Sequence, residues 1–182
     1  MGKAERSETK GRKEAKMLKL KESILRHSIG VAEFMAEWAT MHPENGYEPD
    51  EMYVLGLLHD IGKIYPIVRE TDDGIEVDNS VKNPYKGHGR KGADLLERLG
   101  FIYSKEVRHH GHPEDPYYSC KLMLLNLADL SVDGTGQVIP VERRLRSIKR
   151  RYGDDSEEYA HAEQIVRQLV DQGLLTENGE IL

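Results

Sequence analysis

Apolar residues along the first half of the chain recur at helical spacing. Between Met17 and Met41 they stand three or four residues apart, or at multiples of that spacing, which predicts an amphipathic helix. A second helix is predicted to begin near Pro49 and to run through DEMYVLGLLHDIGK, residues 50–63. Because this segment is apolar almost all round, we expect it at the centre of the domain.

The second half of the chain contains five more helical patterns and is preceded by a hairpin signal. The helices are predicted in residues 88–100, 104–110, 119–132, 140–153 and 156–173, with Gly100 and Gly173 ending two of them. Two short β-prone runs flank Asp73-Gly74, a dipeptide that favours a tight turn. The pattern therefore predicts an all-α fold, a single-domain helical bundle with a small β-hairpin excursion.

Length and composition fit one domain. The chain has 182 residues, of which 38% are hydrophobic and 32% charged, enough for a single core. Residues 1–16 are polar and are predicted to form a flexible N-terminal arm. The helical domain is predicted over residues 17–172, and residues 173–182 form a C-terminal tail.

Charge and cysteine content narrow the function classes. The formal net charge of −6 argues against a dedicated nucleic-acid-binding protein, because such proteins usually carry a basic excess. Cys120 is the single cysteine, so no intramolecular disulfide is expected, and we predict a buried thiol and a cytoplasmic location. No apolar run approaches the roughly 18 residues of a membrane span, and the N-terminal stretch lacks the apolar segment of a secretory signal.

Several imidazoles and carboxylates interrupt the apolar helical runs. They are His27, His59, Asp60, His88, His109, His110 and Asp129. Apart from the adjacent pairs His59-Asp60 and His109-His110, successive members are separated by about one helix plus a connection, so different helices can direct them toward one interior point. A buried imidazole or carboxylate without a partner costs several kcal/mol, and a shared metal ion satisfies several at once.

This donor set indicates the kind of metal. Imidazole nitrogens with carboxylate oxygens suit iron, manganese, cobalt, nickel or zinc, whereas magnesium and calcium prefer all-oxygen sites. With one of the adjacent His109 and His110 counted, four histidines and two aspartates exceed what one ion with open positions takes from protein. Two ions bridged by a carboxylate would use all six.

Five segments in order carry a family resemblance. They are RHSIGVA, LLHDIGK, HGRKGADLL, VRHHG and LADLS, and they span His27 to Asp129. This pattern resembles the HD-domain metal-dependent phosphohydrolase superfamily, in particular its six-ligand, two-metal branch. In size and motif order it is similar to the small bacterial diadenosine-tetraphosphate hydrolases of the YqeK type.

The resemblance implies a metal site, a cofactor and a reaction. Its implied ligands are His27, His59, Asp60 and Asp129 for one metal and His88 and His110 for the second, with Asp60 bridging. His109 is the alternative to His110. The implied cofactor is two divalent transition-metal ions, iron or manganese first and cobalt, nickel or zinc next. The implied reaction is hydrolysis of a phosphate ester or anhydride of a nucleotide by a hydroxide that bridges the two metals.

Cations near these motifs are candidates for substrate contact. Lys63 shares a helix side with His59 and Asp60, so it either neutralises Asp60 or contacts a phosphate, and we take Asp60 and Lys63 as the catalytic pair. Arg90 and Lys91 lie in the first turn of a helix, where they bind phosphate or are merely solvated. Gly62 is expected to allow a close approach of another element.

The roles of a basic stretch and of three further histidines follow less directly from the sequence. The basic stretch ERRLRSIKRR, residues 142–151, is either a solvated helix packing through Leu145 and Ile148 or a rim that attracts polyphosphate or RNA. His42 and His161 are predicted on the surface. His112 lies in a loop that is solvated or lines the pocket.

The sequence leaves two alternative functions open. One is a di-iron HD-type oxygenase, because some superfamily members with the same six ligands oxidise C–H bonds. The other is a non-catalytic regulatory module that binds nucleotide or metal.

After Asp129 the chain departs from the hydrolase pattern, with Asp133 and then Arg143 and Arg144 in place of an acidic residue and an arginine at short fixed distances. We expect a small-molecule phosphate substrate, neither membrane nor nucleic-acid binding, and leave a homodimer open.

Overall fold

A computed structural model describes the backbone of residues 3–64, 68–71, 74–77 and 87–182 and the side chains of residues 22–64 and 87–182. Within these residues the chain is mostly helical. The helices are α1 (Lys3–Met41), α2 (Pro49–Leu58), α3 (Ile61–Ile64), α4 (His88–Arg98), α5 (Ser104–His109), α6 (Cys120–Ser131), α7 (Val141–Tyr152) and α8 (Glu157–Asp171), with a short 3-10 helix at Pro43–Asn45. The predicted all-α class is confirmed.

The hairpin excursion lies between α3 and α4. Strands β1 (Val68–Thr71) and β2 (Gly74–Val77) pair antiparallel, with Val68 opposite Val77 and Thr71 opposite Gly74. The two residues between the strands and residues 65–67 and 78–86 lie outside the described part of the chain.

Helix α2 packs closely along α1 and places its end in the interior. A Cβ atom at Gly56 would lie 2.7 Å from the Cα atom of Ala32, so the glycine lets the two backbones approach. Val31, Met35 and Leu55 are fully buried between these helices and α6. The apolar character of α2 is thus explained by its central position, as predicted.

A second apolar cluster joins α6 to the C-terminal helices. Leu127 and Leu169 are fully buried in it, and Ile165 is 4% exposed. The side chain of Ser156 caps α8 by accepting a hydrogen bond from the backbone N–H of Tyr159. Helix α6 therefore has one side on each cluster, which fixes the direction of its polar residues.

Three features of the fold bear on the sequence predictions. Cys120 is exposed at the first position of α6, so the prediction of a buried thiol is wrong. Helix α1 begins at Lys3, within the segment predicted as a flexible arm, and the division into residues 1–16, 17–172 and 173–182 stays a prediction. Among the described residues, every helix is too short or too polar to cross a membrane.

Candidate metal centre

The His59-Asp60 pair lies in the turn between α2 and α3. The predicted continuous helix over residues 50–63 is interrupted at this pair, and His59 caps the C-terminus of α2. Both side chains are buried, His59 completely and Asp60 with 1% exposed. The interruption places the two side chains at the meeting point of four other helices, α1, α4, α5 and α6.

Helices α1 and α6 contribute His27 and Asp129 to one side of this pair. The Nε2 atom of His27 lies 2.8 Å from Oδ1 of Asp129, and Nε2 of His59 lies 3.9 Å from the same oxygen. His27, His59 and Asp129 each offer a ligand atom within 4.8 Å of the others. These three side chains form the first donor group.

Helices α4 and α5 contribute His88 and His110 to the other side. Their Nε2 atoms are 3.0 Å apart, and they lie 3.2 Å and 3.7 Å from Oδ1 of Asp60. His88 begins α4, and His110 caps the C-terminus of α5. His59, Asp60 and His110 also offer ligand atoms within 4.8 Å of one another. The structure thus brings together all six residues proposed as ligands.

Backbone carbonyls set the tautomer of three of the histidines. The Nδ1 atoms of His59 and His110 lie 2.6 Å from the carbonyl oxygens of Gly56 and Val107. The Nδ1 atom of His27 lies 3.2 Å from the carbonyl oxygen of Asp133. A carbonyl only accepts, so each Nδ1 carries the proton and donates it. In the neutral ring each Nε2 therefore presents a lone pair to the centre, the form in which imidazole binds metal.

The donor set fits a metal ion. Buried His59 Nε2 and Asp60 Oδ1 have no hydrogen-bond partner within the described side chains. A lone pair directed at a carboxylate oxygen is repulsive unless a positive charge lies between them, and a buried polar atom without a partner is costly. A divalent cation satisfies both atoms.

Burial and neighbouring charge shift the acid–base properties of the centre. Burial lowers the pKa of His59 to about 4, and it also lowers the pKa of His88. For Asp60, burial raises the pKa, but the nearby His59 and Lys63 outweigh this and hold it well below the usual value. For Asp129, burial likewise raises the pKa, but the adjacent His27 ring outweighs this and holds it well below the usual value. At neutral pH His59 and His88 are thus neutral and the two carboxylates are ionised, the protonation states that metal binding requires.

Lys63 is the nearest cation to the pair. Its Nζ atom lies 2.5 Å from Oδ2 of Asp60, as expected from its position three residues later on the same helical turn. Lys63 also lines a cavity that opens beside His27 and Asp60. It is placed to balance the Asp60 charge and to meet an anion entering from that cavity.

The cavity has a volume of about 330 Å³ and is basic along one side. Helix α7 contributes Ser147 and four arginines to the lining, namely Arg143, Arg144, Arg150 and Arg151. The Nη2 atom of Arg144 lies 3.6 Å from Oδ1 of Asp129, so this helix borders the donor group directly. The interpretation of residues 142–151 as a merely solvated helix does not describe this face. The sequence names Arg144 only where the chain departs from the hydrolase pattern, and the basic residues of its helix do not show which of them borders the centre.

Three other predicted residues lie away from the centre. His109, the alternative ligand, has its Nδ1 atom 2.5 Å from Oδ2 of Asp115 and its ring against Tyr117. Arg90 and Lys91 are exposed on α4, and neither is among the residues lining the cavity. Their roles as substrate contacts stay predictions.

Two buried side chains that the sequence did not single out hold the segment after His110. Glu106 of α5 accepts hydrogen bonds from the hydroxyls of Tyr117 and Ser119, at 2.7 Å and 2.9 Å. The side-chain oxygen of Asn126 accepts one from the backbone N–H of Gly111 at 3.1 Å. A buried glutamate inside a short helix and an asparagine inside an apolar run were the available signals.

Comparison with known proteins identifies the class. The HD domain family model matches residues 24–132, more than half of the chain and the segment that contains all six donors. The chain belongs to the HD domain family. HD domains bind divalent metals and are generally metal-dependent hydrolases, typically phosphohydrolases.

A relative in an archaeon matches part of the chain. It is the Methanocaldococcus jannaschii protein described as "Uncharacterized protein MJ0778", which is 37% identical over 82 residues. The match covers 44% of this chain and 38% of the relative, so the chain spans well under half of that protein. No solved structure matches this chain significantly.

Proposed function

We propose that this protein hydrolyses a phosphate ester or anhydride of a nucleotide with two divalent transition-metal ions. The observation that carries the proposal is the position of the Asp60 carboxylate. Its Oδ2 faces His59 and Lys63, while its Oδ1 faces His88 and His110. A carboxylate whose two oxygens face separate imidazole groups is suited to bridge two ions.

The proposed ligands follow from this division. His27, His59, Asp60 and Asp129 would hold one ion, and His88, His110 and Asp60 the other. Four imidazoles with two carboxylates favour iron or manganese, with cobalt, nickel or zinc as alternatives. This arrangement supports the six-ligand branch of the family and, by motif order, a relation to the YqeK type.

The centre supplies the chemistry that phosphate hydrolysis needs. When bound, divalent ions lower the pKa of a coordinated water and polarise a phosphoryl oxygen. Lys63 and Arg144 offer fixed positive charge at the mouth of the centre, where the phosphoryl group gains negative charge in the transition state. Burial of His59 and Asp60 keeps water away from the inner side of the reacting group.

The cavity supports an anionic small-molecule substrate. Its volume falls in the range of small-ligand sites, and its α7 side carries four guanidinium groups. Within the described part of the chain, Arg150 and Arg151 form no ion pair with a carboxylate, whereas Arg108 pairs with both Asp94 and Glu97. Guanidinium groups without carboxylate partners beside a metal centre are suited to bind substrate phosphates.

Metal content and phosphate release test the proposal together. Elemental analysis of anaerobically purified protein is expected to give about two iron or manganese ions per chain. A panel of mononucleotides, dinucleotides and dinucleoside polyphosphates is expected to yield phosphate or nucleotide. The isosteric variant Asp60→Asn is expected to lose both the metal and the turnover.

A matched control separates the site from a general charge effect. Asp115→Asn removes a carboxylate that contacts His109 outside the centre, so it should leave metal content and turnover unchanged. Full metal content in Asp60→Asn would contradict the assignment of the centre. Two irons with oxygen consumption and no release from any phosphate substrate would favour the oxygenase alternative instead.

A further inference from the structure

A second group of metal-binding side chains lies outside the metal centre. It consists of His112 and Glu114, from the segment between α5 and α6, and His161 of α8. Each of the three offers a ligand atom within 4.8 Å of the others. The sequence predicted His161 on the surface and His112 in a loop, with no relation between them, because 49 residues separate the two.

The carboxylate of Glu114 lies between the two imidazoles. Its Oε1 is 3.1 Å from Nδ1 of His112, and its Oε2 is 3.4 Å from Nε2 of His161. The Oε1 atom of Glu157, one turn before His161 on α8, lies 3.9 Å from the same Nε2. The group therefore offers two nitrogens and one carboxylate, with a second carboxylate in reach.

The approach of these side chains does not depend on contacts among them. Pro113, between His112 and Glu114, accepts hydrogen bonds through its carbonyl from the side-chain amides of Gln164 and Gln168 on α8, at 3.5 Å and 3.1 Å. These hydrogen bonds hold the segment against α8 one and two turns after His161. The ligand atoms are thus brought together by a separate contact, which lowers the entropic cost of binding an ion.

The chain contains an internal comparison for this group. The tripeptide His-Pro-Glu occurs at residues 42–44 as well as at residues 112–114. In both copies Nδ1 of the histidine lies close to Oε1 of the glutamate, at 3.2 Å and 3.1 Å. Only the second copy is part of a three-donor group among the described residues, because α8 brings His161 to it.

We propose that His112, Glu114 and His161 bind one borderline-soft divalent transition-metal ion, such as Zn²⁺, separately from the metal centre. Two imidazoles and a carboxylate are a common zinc donor set, and Glu157 or water completes four-coordination. All four side chains are at least partly exposed, so an ion reaches them from solvent. The bound ion fastens the segment that begins at His110 to α8 and stabilises the position of that segment.

Zinc counting on the full chain tests the proposal. Wild-type protein, His161→Ala and His42→Ala are dialysed against buffered Zn²⁺, and zinc per chain is measured by elemental analysis. The wild type is expected to bind about one more ion than His161→Ala, and His42→Ala is expected to equal the wild type. This difference is independent of the metal centre, because an empty centre lowers the count of all three proteins equally.

Two further measurements distinguish binding from a folding defect. Glu114→Gln keeps the Pro113 contact and the side-chain shape, and it is expected to weaken binding of the additional Zn²⁺ at least tenfold. Bound zinc is expected to slow amide exchange in residues 110–119 of the wild type but not of His161→Ala. Equal zinc counts in His161→Ala and His42→Ala, or unchanged affinity in Glu114→Gln, would overturn the proposal.

Discussion

A single methyl group at Gly62 is expected to remove one ion from the metal centre and leave the other. A Cβ atom at this position would lie 1.9 Å from the carbonyl oxygen of His88 and 2.7 Å from the backbone nitrogen of Gly92. The first residues of α4 therefore pack directly on α3. Both obstacles are backbone atoms, so no side-chain rotation relieves the clash.

The size of the displacement follows from these distances. Contacts to a Cβ atom shorter than 3.0 Å essentially never occur, so Gly62→Ala must move α3 and α4 apart by at least 3.0 − 1.9 = 1.1 Å. Metal–ligand distances tolerate only about 0.2 Å. Since the clashing oxygen belongs to His88 itself, this ligand is displaced. His27, His59 and Asp129 lie on other elements and keep their positions.

The assay is metal stoichiometry with a graded series of glycine variants. Gly62→Ala is expected to retain about one of two ions and to lose about 1–3 kcal/mol of unfolding free energy from overpacking. Gly92→Ala meets its nearest atoms at 3.0 Å and should show a smaller effect. Gly134→Ala meets only the rotatable hydroxyl of Ser23, at 3.1 Å, and serves as the metal-content control.

The order of metal loss among the three glycine variants tests whether the packing of α3 on α4 holds His88 in place. Metal loss should follow the severity of the backbone clash, with Gly62→Ala first, Gly92→Ala second and Gly134→Ala near the wild type. If Gly62→Ala does not fold, the milder Gly92→Ala still tests whether displacement of α4 releases an ion. Two ions bound with wild-type affinity in a folded Gly62→Ala protein would refute the role assigned to this packing.

Three further outcomes are expected. His110→Ala should lower the metal content by about one ion of two while His109→Ala leaves it unchanged, and the opposite result in elemental analysis would move the ligand to His109. Arg144→Ala should raise KM for a phosphate substrate about tenfold or more, while Arg146→Ala, on an exposed position that does not line the cavity, should not; equal kinetics would remove Arg144 from substrate binding. In metal-free protein the pKa of His59 is about 4 in the folded state and 6.5 in the unfolded state, so between these values only the unfolded chain binds the proton. Denaturant titrations should therefore show the free energy of unfolding decreasing by about 2 kcal/mol as the pH is lowered from 7 to 5. A flat profile would contradict this burial.

The sequence predicted the helices well because each has a continuous apolar side. The pattern could not show that α2 ends at Leu58, since residues 50–63 are apolar on both sides of His59 and Asp60. The pattern also did not show what the arginine side of α7 faces. The hydrophobic positions of that helix indicate which side packs on the core, but only the folded chain shows that its arginines border the cavity.

Of the proposed donors, His27, His59, Asp60 and Asp129 were predictable because each interrupts an apolar run, and His88 and His110 because they stand at predicted helix ends. His112 and His161 lacked that signal, because both lie in polar surroundings where a histidine requires no partner. Their proximity depends on the packing of α8 against the segment after α5, a long-range contact that spacing along the chain does not reveal. Sequence patterns thus reveal buried donors more readily than exposed ones.

Helix ends explain which histidines face the metal centre. The last carbonyls of an α-helix lack intrahelical partners, and an imidazole placed just past the end can donate to one of them. His59 and His110 do this in the same way: each caps its helix and donates from Nδ1 to the carbonyl three residues earlier. The contact satisfies the helix and at the same time directs Nε2 inward. His109 is still within α5 and turns to Asp115, so helix termination, more than motif spacing, favours His110 over His109 as the proposed ligand.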